Sequence, residues 1–185
     1  MSVIHRPTEA RSTVRTLVRW APTFAAFPVG GLAAHLLVGP VATVGAAAVG
    51  GLVTGAAIGV AQWWALRPAG RWVLASALGL AAALALATAV AGPPATLGAL
   101  LVQGAVCGLG LGVTQAVVLF GRLGARALLW PALLAGAWAL GWAVTAAVGV
   151  RLEDGWTVFG STGALVVTAL TAVLPLALRR TAVRP

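Results

Sequence analysis
The sequence predicts an all-α, polytopic membrane protein in which six transmembrane helices form three tandem helical hairpins, a pseudo-threefold parallel repeat. Three observations predict it. Hydrophobic residues make up 61% of the chain and charged residues 8%, with a mean hydropathy of +1.01. A soluble domain carries about 25% charged residues, so this chain lacks the means to cover a water-facing surface. The apolar residues fall into runs of the length that crosses hydrocarbon, about 20 residues. Arginines punctuate the runs at every second boundary.

The first run extends from about Trp20 to Gly39 and stops at Pro40. The second runs from about Val41 to Leu66 and stops at Arg67, and the third spans Trp72 to Gly92, closed by Pro93 and Pro94. The fourth runs from Ala95 to Phe120, the fifth from Leu128 to Gly149, and the sixth from Trp156 to Leu178. The runs show no alternation of apolar and polar residues. Open strand edges cannot sit in lipid, so helices are the reading.

The arginines orient the bundle. Arg6, Arg11, Arg15 and Arg19 precede the first helix. Arg67 and Arg71 separate helices two and three, Arg122 and Arg126 separate four and five, and Arg179, Arg180 and Arg184 follow the sixth. With six crossings all of these lie on one side, and only Arg151 lies on the other, beside Glu153 and Asp154. The excess of arginine on cytoplasmic loops places both termini in the cytoplasm of a plasma membrane protein. Residues 1–16 read as a basic tail attracted to anionic lipid, 17–180 as the membrane domain and 181–185 as a short tail. The first run is too long for a signal peptide. The net charge of +9 is dispersed between apolar runs, which excludes nucleic acid as a partner. The lone Cys107 makes no intrachain disulfide.

An internal repeat underlies the hairpins. Gly51, Gly55, Gly59, Gln62 and Leu66 of the second helix match Gly104, Gly108, Gly112, Gln115 and Leu119 of the fourth without gaps. The sixth follows more loosely through Gly160, Ala164, Thr168, Thr171 and Pro175. The odd helices begin near Trp20, Trp72 and Trp130 and end at Gly39, Gly92 and Gly149. Four residues before those glycines stand His35, Thr88 and Thr145. The repeats cover about 17–67, 71–122 and 127–180, and all run in the same sense across the membrane.

Polar residues inside the runs are the candidate site residues, because an unpaired polar group in hydrocarbon is costly. Gln62 and Gln115, with Thr171 at the matching place, form an expected inner ring. His35, Thr88 and Thr145 form an expected outer ring, and Gln103 lies at a depth where it is a neighbour for His35. His35 is the sole ionisable side chain well inside a run, which makes it a functional candidate. One histidine offers only one axial ligand, so no haem or other cofactor is expected. Trp138 and Trp142 lie one turn apart in mid-helix, away from the interfacial belts where tryptophan usually sits. They suit either packing into a glycine groove or a stacking wall for a ligand. Gly51, Gly55, Gly59, Gly104, Gly108, Gly112 and Gly160 are expected helix-packing positions.

An enzyme is not expected. No acidic residue lies inside a run, and no metal-ligand spacing occurs. Gly160-Ser161-Thr162-Gly163 is similar to the G-x-S-G of rhomboid proteases, but threonine stands at the nucleophile position and no histidine follows. Three hairpins in a chain of this size resemble the acid-gated urea and amide channel family in arrangement, with none of its sequence motifs present. That resemblance implies an architecture rather than an activity. The expected function is a passive channel or carrier for a small neutral or polar solute. The alternatives are an accessory subunit docking to a second copy or a larger membrane complex, and a membrane-embedded vitamin or lipid binding module. The last is similar, in helix number and length, to the substrate-binding subunits of vitamin uptake systems.

Overall fold
A computed structural model describes residues 6–68, 70–94, 96–149 and 156–182. Among these the chain is helical, with no strand: α1 (Arg6–Trp20), α2 (Ala26–Val38), α3 (Val44–Leu66), α4 (Arg71–Ala91), α5 (Leu97–Leu123), α6 (Trp130–Ala147), α7 (Ser161–Thr171) and α8 (Val173–Ala182). Arg151, Glu153 and Asp154 lie outside the described residues.

Helix ends follow from local chemistry. The α2 and α4 helices stop at Gly39 and Gly92, each with φ +71°, a backbone region that costs glycine nothing. Prolines follow both glycines and cannot continue the helix. Thr43 and Thr96 then begin α3 and α5 from extended backbone, each hydroxyl accepting from the N–H three residues on, Ala46 and Ala99, at 3.2 Å.

Five helical stretches, not the six expected, are long and apolar enough to cross a membrane: Arg11–Val38, Val44–Leu66, Arg71–Ala91, Leu97–Ala147 and Ser161–Arg179. They suit a multi-pass membrane protein. The discrepancy lies at Arg122 and Arg126. A 3-10 turn over Gly124–Leu129 follows α5 directly, so the fourth stretch counts as 51 residues, but α5 ends at Gly124, whose φ of +55° and ψ of −142° are not helical. It is not straight. The stretch folds back at the turn, and α5 and α6 pack side by side, antiparallel.

Three further boundaries differ from the sequence reading. Residues 6–16, expected as a tail, are helical in α1, which meets α2 through a 3-10 turn at Ala21–Ala25 around Pro22. The final crossing begins at Ser161 rather than Trp156, because Trp156–Gly160 is non-helical and buried or half-buried. Gly160 is therefore not a packing glycine inside a helix. It is the extended residue that starts α7, at φ −68° and ψ −178°.

Successive helices pack antiparallel, α2 on α3, α3 on α4, and so to α7, which returns to α2 and the Ala21–Ala25 turn. Arg19, Arg67, Arg71, Arg122, Arg126 and Arg179 share one end of this assembly. Here Arg179 donates to the hydroxyls of Ser12 (2.6 Å) and Thr13 (2.9 Å), tying α8 to α1. Glycine sets the spacing of the tightest pairs. A Cβ on Gly55 would lie 2.5 Å from the Ser76 carbonyl oxygen of α4, and one on Gly51 would lie 2.8 Å from that of Leu80. On α5, Gly108 sits against the Leu134 carbonyl and Gly112 against Pro131 of α6. Backbones this close gather dispersion and weak Cα–H···O contacts, which drive helix association where no hydrophobic effect operates. Gly55→Ala is expected to force α3 from α4 and to cost about 1–3 kcal/mol. Gly45→Ala, where nothing lies within 4 Å, is expected to change stability little. Thermal unfolding of both variants in detergent micelles checks the contrast.

Candidate functional site
The stripes that hold α3 and α5 also aim Gln62 and Gln115, because eleven residues from the first glycine is close to three turns. The α4 helix lies beside both and contributes Trp72 and Ser76, and α6 begins with Trp130. These five side chains form one hydrogen-bonded cluster near the arginine-rich end. Gln115 Nε2 donates to Gln62 Oε1 (3.1 Å) and to the Ser76 hydroxyl (2.9 Å). Trp130 Nε1 donates to Gln115 Oε1 (2.8 Å), and Trp72 Nε1 to Gln62 Oε1 (3.2 Å). The Ser76 hydroxyl donates in turn to the Trp72 carbonyl (2.9 Å). Gln115 thus uses both amide protons and its oxygen, and it is wholly buried.

Thr171, expected in the same ring, is buried but donates to carbonyls of its own helix, Val167 (2.7 Å) and Thr168 (3.3 Å). A third tryptophan nonetheless serves this side of the bundle. Trp20 Nε1 donates to the Thr168 carbonyl at 2.8 Å, linking the entrance of α2 to α7.

The expected outer ring is dispersed. Thr88 donates to Leu84 one turn back, at 2.9 Å. The Thr145 hydroxyl is buried against Gly163 with no hydrogen-bond partner among the described residues. His35 is half-buried and stacks on Trp156, with ring centroids 4.5 Å apart, while its Nδ1 is buried with no hydrogen-bond partner among the described residues. Gln103 does not meet His35. It lies on α5 facing α4, nine-tenths buried, beside a groove.

Trp138 and Trp142 join an aromatic cluster whose centre is Phe159, in the non-helical segment before α7. Phe159 stacks on Phe27 at 5.4 Å and meets Trp138 edge-on at 5.2 Å and Trp142 at 6.1 Å. Trp142 also lies on the glycine face of α5, where a Cβ on Gly104 would sit 2.6 Å from its ring. The segment is anchored on its other side by a 2.9 Å hydrogen bond between the hydroxyls of Thr157 and Thr54, with Thr54 also 3.3 Å from the Gly30 carbonyl. Beside the cluster, at the end of the bundle away from the arginines, is a cavity of about 370 Å³. Trp142, Trp156, Phe159, Thr145, Pro28 and Gly31 line it.

Sequence reasoning missed Ser76, Thr54, Thr157 and Phe159. Ser76 and Thr54 are isolated hydroxyls inside apolar runs, without the matched distance to a glycine that singled out Thr88. Phe159 had no signal, since an apolar residue in a long apolar run reads as helix. The chain matches no known family model, no curated protein and no solved structure.

Gln115→Leu removes one side chain but strands the Trp130 indole and leaves Gln62 and Ser76 short of a partner, at about 1–3 kcal/mol for each buried group left unpaired. It is expected to lower stability more than Trp130→Phe, which deletes a single donor. Chemical unfolding in micelles, followed by circular dichroism, checks the order.

Proposed function
We propose that the chain is a carrier for a small, neutral or weakly polar solute, built from six crossings in three hairpins. The long Leu97–Ala147 stretch crosses twice, turning at Gly124–Leu129, with both termini on the arginine-rich, cytoplasmic side. Three features support the repeat. Trp72 and Trp130 each donate to the glutamine of the preceding helix, and Trp20 donates to the Thr168 backbone carbonyl of α7. The turns that end at Thr43 and Thr96 share one geometry. Glycine stripes on α3 and α5 both face the next helix in sequence.

The single observation that carries the carrier reading is a cavity of about 370 Å³, walled by three aromatic rings, between α2, α6 and the segment before α7, at the end of the bundle away from the arginines. Its size lies within the range of about 300–1,000 Å³ for small-molecule pockets. The cluster engages both amide protons of Gln115 and the oxygens of both carboxamides, which supports a closed inner end rather than an open pore. The aromatic walls suit a flat solute with modest polarity. Glycine stripes turned inward give no support to the accessory-subunit reading, which needs them outward. A binding module that never releases its ligand inward uses the same cavity and differs only in transport.

Two experiments test this. Cys107, the sole native cysteine, is buried, so introduced thiols report topology cleanly. With six crossings, Ala125→Cys is labelled by an impermeant reagent from the side of the termini and Ala42→Cys from the other. Protection of Ala125→Cys from both sides sinks the count of six. For the solute, intrinsic tryptophan fluorescence is titrated with a neutral panel from acetamide and glycerol to indole and benzyl alcohol, alongside osmotic swelling of proteoliposomes. The aromatic members are expected to give saturable changes, weakened by about tenfold in a Trp142→Leu, Trp156→Leu double variant, and to enter the vesicles. Saturation without uptake selects the binding module, and no saturable change with any solute rejects both.

A further inference from the structure
A second concavity, of about 490 Å³, runs along the α4–α5 surface at the end away from the arginines. Its occupant is a question separate from the aromatic cavity and does not rest on the carrier reading. The walls are aliphatic: Leu86 and Val90 from α4, Val102 and Val106 from α5. Leu86, Val90 and Val102 are more than half exposed, so the groove opens sideways, toward whatever surrounds the bundle. In a multi-pass protein that is lipid.

One polar side chain interrupts this surface. Gln103 lines the groove, is only 5% exposed, and makes no hydrogen bond to any described residue. Other buried glutamines in this chain are bonded, so an idle carboxamide facing hydrocarbon is an exception that calls for a partner from outside. Its depth identifies the partner. Gln103 stands six residues into α5, about 9 Å along the axis, and α5, with 27 residues, is about 40 Å long, the thickness of hydrocarbon and headgroup layers together, about 40–45 Å. That level is just below the membrane surface, where the chains of a glycerolipid begin. Among the described residues no charged side chain lines the groove, so it has no means to hold a headgroup. No aromatic lines it either, so it suits a flexible chain rather than a ring.

We propose that this groove binds one acyl chain of a membrane glycerolipid, from the leaflet opposite the arginine-rich end, with the chain's ester carbonyl accepting a hydrogen bond from Gln103 Nε2. The chain lies along Val90, Val102, Leu86 and Val106 toward the middle of the bilayer. An ether-linked lipid of the same shape lacks the carbonyl and fills the groove without that bond.

The test compares phosphatidylcholines with identical chains, ester-linked or ether-linked, reconstituted with the full chain and then stripped by detergent before native mass spectrometry. The wild-type protein is expected to retain the ester lipid about threefold better than the ether lipid, the effect of one intramembrane hydrogen bond. Gln103→Leu is expected to keep its fold, by circular dichroism, and to retain both lipids equally. Ala91→Phe, which fills the mouth of the groove from an exposed position, is expected to lose both. Equal retention of the two lipids by the wild type overturns the proposal, as does an ester preference that survives Gln103→Leu. A dimer carrying no lipid also overturns it, because a second copy then covers the groove.

Discussion
A side-chain amide buried between helices takes its partners from the neighbouring helices, and the arrangement of this bundle follows from that requirement. Gln62 and Gln115 lie on different helices and bond directly to each other. The geometry holds only if α4 runs between them, since Ser76 and Trp72 complete the set. It also needs α6 to start beside α5, which brings Trp130 to Gln115. Four helices are therefore held in register by a few directional contacts at one depth. Dispersion along the glycine faces draws the helices together but permits sliding in steps of a turn. The amide–indole contacts do not. They select one register, in the way that a buried polar residue selects the register of a coiled coil.

Much of this arrangement was legible in the chain. Gln62 and Gln115 stood out because they recur at the same distance from matched glycines, and the structure places them in contact. The glycine positions on α3 and α5 were legible from their four-residue spacing, which maps directly onto one helical face. The tryptophans that open the odd runs were visible as a pattern, at run ends where an interfacial belt is the usual role. Trp72 and Trp130 are instead buried donors to the glutamines. An indole at a helix entrance suits both roles, and only the neighbouring helix decides between them.

What stayed illegible has a common physical cause. In an apolar sequence the usual contrast between buried and exposed residues disappears, so a run of apolar residues does not disclose where a helix unwinds. Trp156–Gly160 reads as the first turn of a helix and is a buried non-helical segment. It is tolerated at that depth because Thr157 reaches Thr54 and because protein surrounds it on several sides. The pairing of His35 with Gln103 failed for a related reason. Depth along the membrane was legible, but direction around the helix was not, and the two residues face different neighbours. The turn at Gly124–Leu129 shows the opposite ambiguity, because Arg122 and Arg126, which read as a loop, lie in the last turn of α5 and in a short 3-10 turn that follows it directly.

The bond from Trp20 to Thr168 spans 148 positions of the chain. A ribosome makes the chain from the amino end, so the indole enters the bilayer long before its acceptor exists. Until α7 arrives, the first helix carries an unsatisfied donor and α2 lacks a wall on one side. Ring closure is accordingly a late event in biogenesis, dependent on the last crossing. The nascent intermediate has an open flank along α2 until the last helix docks.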